Sequence, residues 1–185
     1  MHAMGDKERP FVPLRIAVLT ISDTRDESSD TSGQVLIERL QTAGHALAER
    51  SIVRDDIYRM RAIVSRWIAD ENVNAILTTG GTGLTGRDRT PEAIRPLLDK
   101  EIEGFGEMFR AISYEEIRTS TLQSRAFAGI ANATFIFCLP GSTGACRDAW
   151  DGILGAQLDY RHMPCNFVEI MPRLDEHLRR GGAKA

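Results

Sequence analysis

Apolar residues fall along this chain in two patterns. "LRIAVLTIS" is continuously apolar and rich in β-branched residues, which predicts a strand buried on both sheet faces. "ALAERSIVRDD", "NAILTT" and "TFIFCLP" read as further strands. Between the first two, Val35, Leu36 and Leu40 share a helical face whose cap is Asp30 or Thr31 and whose stop is near Gly44. Ile57, Met60, Val64, Trp67 and Ile68 recur at helical spacing and give the clearest amphipathic helix. "ACRDAWDGILGAQL" reads as a final helix carrying Ala149, Ile153, Leu154 and Leu158 inward. "EIEGFGEMFRAISYEEI" reads as short pieces broken by glycines, and "TSTLQSRAFAGIA" as helical. Strands alternating with helices predict an α/β fold with a mostly parallel sheet covered on both faces.

With 185 residues, 42% hydrophobic and 26% charged, the chain suits one domain over residues 10–178, with loose ends at 1–9 and 179–185. A net charge of −3 supplies no basic field for a nucleic acid, although a small anion remains a possible ligand through local groups. Three cysteines, Cys138, Cys146 and Cys165, form no C-x-x-C pair, which argues against a disulfide framework or a zinc site and for a reducing cytoplasm. His2, His45, His162 and His177 lack metal-ligand spacing and are expected at the surface; Trp67 and Trp150 are expected in the core or at a subunit interface. No signal segment or membrane-length apolar run is present, so a soluble, unexported protein is expected.

The candidate chemistry lies in "ILTTGGTGLTGRDRTPEAI". Gly81, Gly83 and Gly86 match G-x-G-x-x-G, yet the next helix starts too late for a dinucleotide fold: Thr90 reads as N-cap with Pro91 behind it, some four residues past Gly86. No lysine follows the glycines, which excludes a Walker A loop. "PGSTGA" lacks the elbow of a serine hydrolase. Glycines at a strand's carboxyl end let backbone amides approach an anion, and Asp88 inside the loop makes sense with a divalent cation between it and a phosphate.

"TTGGTGLTGRDRTPEA", "SYEEIRTSTLQSRAFAGIAN" and "LPGSTGACRDAW", in that order, resemble the MoaB/Mog family of molybdenum cofactor biosynthesis proteins, closest to its bacterial B branch, over roughly residues 10–167. The resemblance implies a three-layer α/β/α domain that assembles as a trimer or hexamer. It also implies a molybdopterin adenylyltransferase, in which the terminal phosphate of molybdopterin attacks the α-phosphorus of Mg-ATP. Implied ligands are Mg2+, ATP and molybdopterin, and other enzymes of the pathway are implied partners. Thr143 stands where many adenylylating members have proline.

By the same resemblance, Asp88 matches the aspartate of the R-D motif and Asp55 a second functional aspartate, both assigned to catalysis and metal. Asp56 is an alternative partner, or both Asp55 and Asp56 serve as helix caps. Gly80, Gly81, Thr82 and Gly83 would cradle phosphates, with Glu92 holding the metal or orienting the loop, and Ser22 and Asp23 lining the cleft. Thr119, Ser120, Ser124 and Arg125 fall at the family's substrate-side helix start, with Arg125 the candidate for the pterin phosphate; Pro140, Gly141 and Ser142 fit its pterin loop. Apolar Phe105, Met108 and Phe109 on a broken helix mark residues 104–117 as an expected subunit interface. The competing reading is a non-catalytic oligomer that binds the pterin or a partner enzyme in the same cleft.

Overall fold

The computed structural model describes residues 9–179. Its strands are β1 (Arg15–Ile21), β2 (Ala46–Val53), β3 (Ala75–Thr79), β4 (Lys100–Glu101), β5 (Phe127–Ala131) and β6 (Thr134–Leu139). They form one mixed sheet in the order β2-β1-β3-β6-β5-β4. The first four of that order are parallel, and β5 and β4 extend the β6 edge antiparallel.

Side-chain alternation divides the core. Ile16, Val18, Leu77, Phe135 and Phe137 face α1 (Thr31–Thr42), α4 (Glu103–Ile117) and α5 (Thr143–Ala149). Ala17, Leu19, Ile76, Ile136 and Cys138 face α2 (Ile57–Ala69) and α3 (Thr90–Ile94). Such two-sided burial explains why these strands lack polar alternation. Leu36 and Leu40, fully buried one helical turn apart, pin α1 to the first face, each contributing about 1.5–3 kcal/mol. Met60, Val64 and Trp67 do the same for α2 on the second. Asp30 caps α1 by accepting the amide of Gly33, and Asp56 caps α2 by accepting those of Tyr58 and Arg59. Both tryptophans lie in the core. No helix among the described residues is long and apolar enough to cross a membrane.

Several expectations change. α4 is a continuous 15-residue helix rather than short pieces. Phe105 and Phe109, at i and i+4, drive it into the core, and Gly106 admits the close approach of the Ala126 carbonyl, where a Cβ would lie 2.6 Å away. The two phenylalanines are therefore not interface residues, whereas Met108 is exposed. "TSTLQSRAFAGIA" is a short 3-10 segment, Arg118–Gln123, followed by β5; hydrogen bonding to the buried β6 overrides the weak local preference of Ala and Gly. Asn132 and Ala133, both at positive φ, make the tight turn into β6. α5 runs on through a π-helical stretch, Trp150–Leu154, and short helices at Phe167–Ile170 and Glu176–Arg179 follow it. Thr90 is the first helical residue, not the cap. His45 is buried, its Nδ1 accepting the amide of Leu14. Arg9 pairs with Glu169 at 3.2 Å; the looseness expected for residues 1–8 and 180–185 lies outside the described residues.

Candidate active site

The chain leaves β1 for β2 on one side of the sheet centre, then returns to β3 on the other side of β1. Connections that diverge from neighbouring strands open a crevice at their carboxyl ends. A cleft of about 540 Å³ lies there. Ser22, Thr24 and Arg25 after β1, Gly80 to Gly83 with Asp88 after β3, and Pro140, Gly141 and Ser142 after β6 line three of its sides. Phe109, Ser113 and Ile117 of α4, with Ser120, Gln123 and Ser124 beyond it, supply the fourth.

The loop after β3 requires its glycines. Gly80 and Gly81 have φ of 102° and 69°. A Cβ on Gly80 would collide with the Ile21 carbonyl, and one on Gly81 with the Thr90 hydroxyl. That hydroxyl donates to the Gly80 carbonyl at 2.9 Å, and the Thr90 amide donates to the Gly81 carbonyl at 2.9 Å, so α3 is tied to the loop that precedes it. The amides of Gly81 and Thr82 have no protein acceptor among the described residues. Arg125 braces the far part of the loop, donating from Nε to the Gly83 carbonyl at 2.8 Å and from Nη2 to the Asp88 carbonyl at 2.6 Å. Glu92 holds the same guanidinium in an ion pair.

Three aspartates meet this loop differently. Asp88 lines the cleft and accepts the amide and hydroxyl of Thr85 at 2.9 and 2.7 Å. Burial pushes its carboxyl up, but the hydrogen bonds from Thr85 and Gly83 and the charge of Arg125 outweigh this and hold it below the usual range. Asp55 is buried behind Gly81 and outside the cleft lining; one oxygen accepts the Arg89 amide at 3.2 Å, and Oδ1 has no hydrogen-bond partner. Burial raises its carboxyl above the usual range, with Asp23 and Asp88 adding to the rise. Asp23 pairs with Arg87 at 2.6 Å and accepts the Asp55 amide, joining the end of β1 to the Arg87-Asp88 turn.

The cleft's guanidinium is Arg25, not Arg125. Arg25 Nη1 donates to Ser32 Oγ at 2.8 Å and to the Gly141 carbonyl at 3.3 Å, and lies 4.0 Å from the buried carboxylate of Asp30. Asp30 itself accepts from Thr20, the Gly33 amide and Arg50, the last at 3.0 Å.

Ser22, Gly80, Gly81, Thr82, Gly83, Asp88, Ser120, Ser124, Pro140, Gly141 and Ser142 thus converge as their motifs suggested. Asp23, Asp55, Glu92, Thr119 and Arg125 do not line the cleft: Asp55 lies behind the loop, Asp23 is exposed and paired with Arg87, Glu92 and Arg125 pair with each other, and Thr119 is exposed on the 3-10 segment. Arg125 precedes a strand rather than starting a helix, and its two bonds to the loop carbonyls with its pairing to Glu92 turn it away from this cleft. Asp56 is a helix cap. Arg25 was missed; its signal was its place three residues past Ser22 at a strand end, hidden in the charged run "DTRDESSD".

Among the described residues no group of three His, Cys, Asp or Glu is placed to hold a metal. One cleft carboxylate with unpaired amides beside it suits magnesium carried in on substrate phosphates, which keeps most of its other ligands from water and phosphate.

Comparison with known proteins gives a consistent result. A family model described as a probable molybdopterin binding domain matches residues 17–160. The chain is 56% identical over 164 residues to molybdenum cofactor biosynthesis protein B of Escherichia coli (strain K12), covering 89% of this chain and 96% of that protein. A crystal structure of a molybdenum cofactor biosynthesis protein B superposes with a TM-score of 0.81 at 41% identity, covering 91% of this chain and 99% of the other. The tungsten cofactor synthesizing protein MoaB from Pyrococcus furiosus gives 0.69 at 37% identity, covering 77% and 91%.

Proposed function

We propose a reaction for this chain, which belongs to the molybdenum cofactor biosynthesis protein B family: transfer of the adenylyl group of Mg-ATP to the terminal phosphate of molybdopterin. A phosphate oxygen attacks the α-phosphorus, a new P–O–P bond forms, and the bond to pyrophosphate breaks. The attacking group is already ionised at neutral pH, so no strong general base is needed. Catalysis then rests on alignment and on preorganised charge. A magnesium ion bound with the nucleotide would supply neutralisation of charge on the departing pyrophosphate.

The chain's own groups have separable tasks. Gly81 and Thr82 would offer their amides to phosphate oxygens, and Asp88, on the same loop, would hold the cation. Arg125, Glu92 and Thr90 hold that loop in shape. Phe109 and Ile117 give the opposite wall an apolar surface for a ring, with Ser113, Ser120 and Ser124 as polar contacts. The observation that carries the reading is the pairing in one cleft of loop amides that have no protein acceptor among the described residues with an Asp88 carboxyl held below its usual range by its hydrogen bonds.

One observation favours the alternative, a non-catalytic oligomer that binds the pterin or a partner enzyme of the pathway: Asp55, assigned to metal from the motif, is shut behind Gly81. We extend the proposal to a cytoplasmic homotrimer or hexamer, for which the exposed Met108, Tyr114 and Leu122 on and after α4 provide apolar surface. Incubation of the purified protein with molybdopterin and Mg-ATP, followed by chromatography for the adenylyl adduct, tests the reaction. Adduct formation that depends on the protein supports it; its absence with a verified substrate supports the binding role.

A further inference from the structure

Within the cleft, three groups share an unusual economy of bonding. Arg25 spends one nitrogen, Nη1, on Ser32 and Gly141, while its Nε and Nη2 have no protein acceptor among the described residues. Its side chain is 32% exposed and lines the cleft, so those two nitrogens are not sealed inside the protein. The nearest buried carboxylate, Asp30, is already matched by Arg50 at 3.0 Å, and it stands off from Arg25 at 4.0 Å. Arg25 therefore keeps most of its charge for something else.

Two hydroxyls beside it have the same property. Ser22 Oγ accepts the amides of Thr24 and Arg25, at 3.3 and 3.1 Å. Ser142 Oγ accepts the amide of Ala145 at 3.1 Å. Both lone pairs of the Ser22 hydroxyl and one of the Ser142 hydroxyl are occupied, and neither has an acceptor for its proton among the described residues, so both hydroxyls have a proton free to donate. Gly141, whose carbonyl fixes Arg25, packs on Gly80, where a Cβ would lie 3.3 Å from the Gly80 Cα, so these donors stand next to the glycine loop. A planar guanidinium and two hydroxyl donors around one space suit a tetrahedral oxyanion.

We propose that Arg25, Ser22 and Ser142 form a phosphate subsite of the cleft, with Arg25 as its charged anchor. Which phosphate it takes, the acceptor's terminal phosphate or one of the nucleotide's, rests on the adenylyl-transfer reading; the subsite itself does not.

The test uses inorganic phosphate as probe, titrated calorimetrically into the wild-type protein and into Arg25→Gln, Arg25→Lys and Ser142→Ala, with thermal melts to verify folding. Saturable one-to-one binding that weakens about tenfold to a hundredfold in Arg25→Gln, and less in Arg25→Lys, is expected for loss of a charge-assisted contact. If Arg25→Gln fails to fold, Arg25→Lys and Ser142→Ala carry the comparison, each with a weaker effect in the same direction. Competition then reads the identity of the ligand: displacement by molybdopterin and not by Mg-ATP marks the acceptor's subsite, and displacement by Mg-ATP alone marks the nucleotide's. Equal phosphate affinity in wild type and folded Arg25 variants, no phosphate binding by wild type, or displacement by neither ligand overturns the proposal. Arg25-dependent phosphate binding without any adenylyl adduct would instead sink the reaction and leave the subsite standing.

Discussion

Asp55 accepts the backbone N–H of Arg89 at 3.2 Å while one of its oxygens lies 2.9 Å from where a Gly81 side chain would begin. The carboxylate and the glycine loop are therefore built as one unit, and glycine at position 81 is a condition of burying the acid there. Residues that touch no ligand thus set the shape of the surface that does.

Burial raises the Asp55 carboxyl above its usual range, so ionising it costs the folded state. The stabilisation linked to protonated Asp55 is full below the pKa of the unfolded chain and is lost as pH rises through the higher folded value. Asp55→Asn has no charge to bury. Its melting temperature relative to wild type should therefore rise as pH increases from about 4 through the raised folded value, and then level off. A melt series in which the difference stays flat or moves the other way rules this out.

Asp88→Asn keeps an acceptor for the Thr85 amide and removes the negative charge from the cleft. Losing one preorganised electrostatic contact typically costs about 2.7–4 kcal/mol, so adenylylation should fall by roughly a hundredfold or more. Phosphate affinity at Arg25 should not fall, since a negative charge has left the same cleft, and oligomeric mass should be unchanged. Near-normal turnover, or loss of activity through unfolding alone, refutes the role.

Arg125→Ala removes the donors to the Gly83 and Asp88 carbonyls and strands Glu92. Turnover should drop while the KM for molybdopterin stays within about twofold, because the guanidinium faces the loop rather than the ligand. Steady-state kinetics decide it: a selective rise in that KM would restore Arg125 as a pterin contact.

Thr90→Val is nearly isosteric and leaves the buried Gly80 carbonyl without its hydroxyl donor. An unpaired buried acceptor costs about 1–3 kcal/mol. Urea denaturation should show that loss with an unchanged m-value, and a stability equal to wild type would remove Thr90 from the loop's support.

Light scattering at micromolar concentration should give a mass of three or six chains. Met108→Glu combined with Leu122→Glu, which places charge on exposed apolar positions after and on α4, should lower it. A monomeric wild type counts against the oligomer, and an unchanged mass in the double variant counts against this face.

Local periodicity in the sequence determined much of the frame: β1, β3 and β6 as unbroken apolar strands and α2 from its helical spacing, whereas the structure chose Asp30 over Thr31 and Asp56 over Asp55 as the caps. It also marked the glycine loop and the Pro140–Ser142 turn, because positive φ and strand-end turns leave a signature within a few residues. α4 and β5 were illegible because their state depends on distant partners: Gly106 is tolerated where the Ala126 carbonyl approaches, and an Ala-Gly-Ile stretch becomes a strand where β6 offers hydrogen bonds. The same holds for the two arginines. Arg125 is turned away from the cleft by carbonyls and a carboxylate 33 to 42 residues earlier in the chain, and Arg25 is turned toward it by a carbonyl 116 residues later. A side chain's charge is written in the sequence, but its direction follows from acceptors that only the folded chain brings within reach.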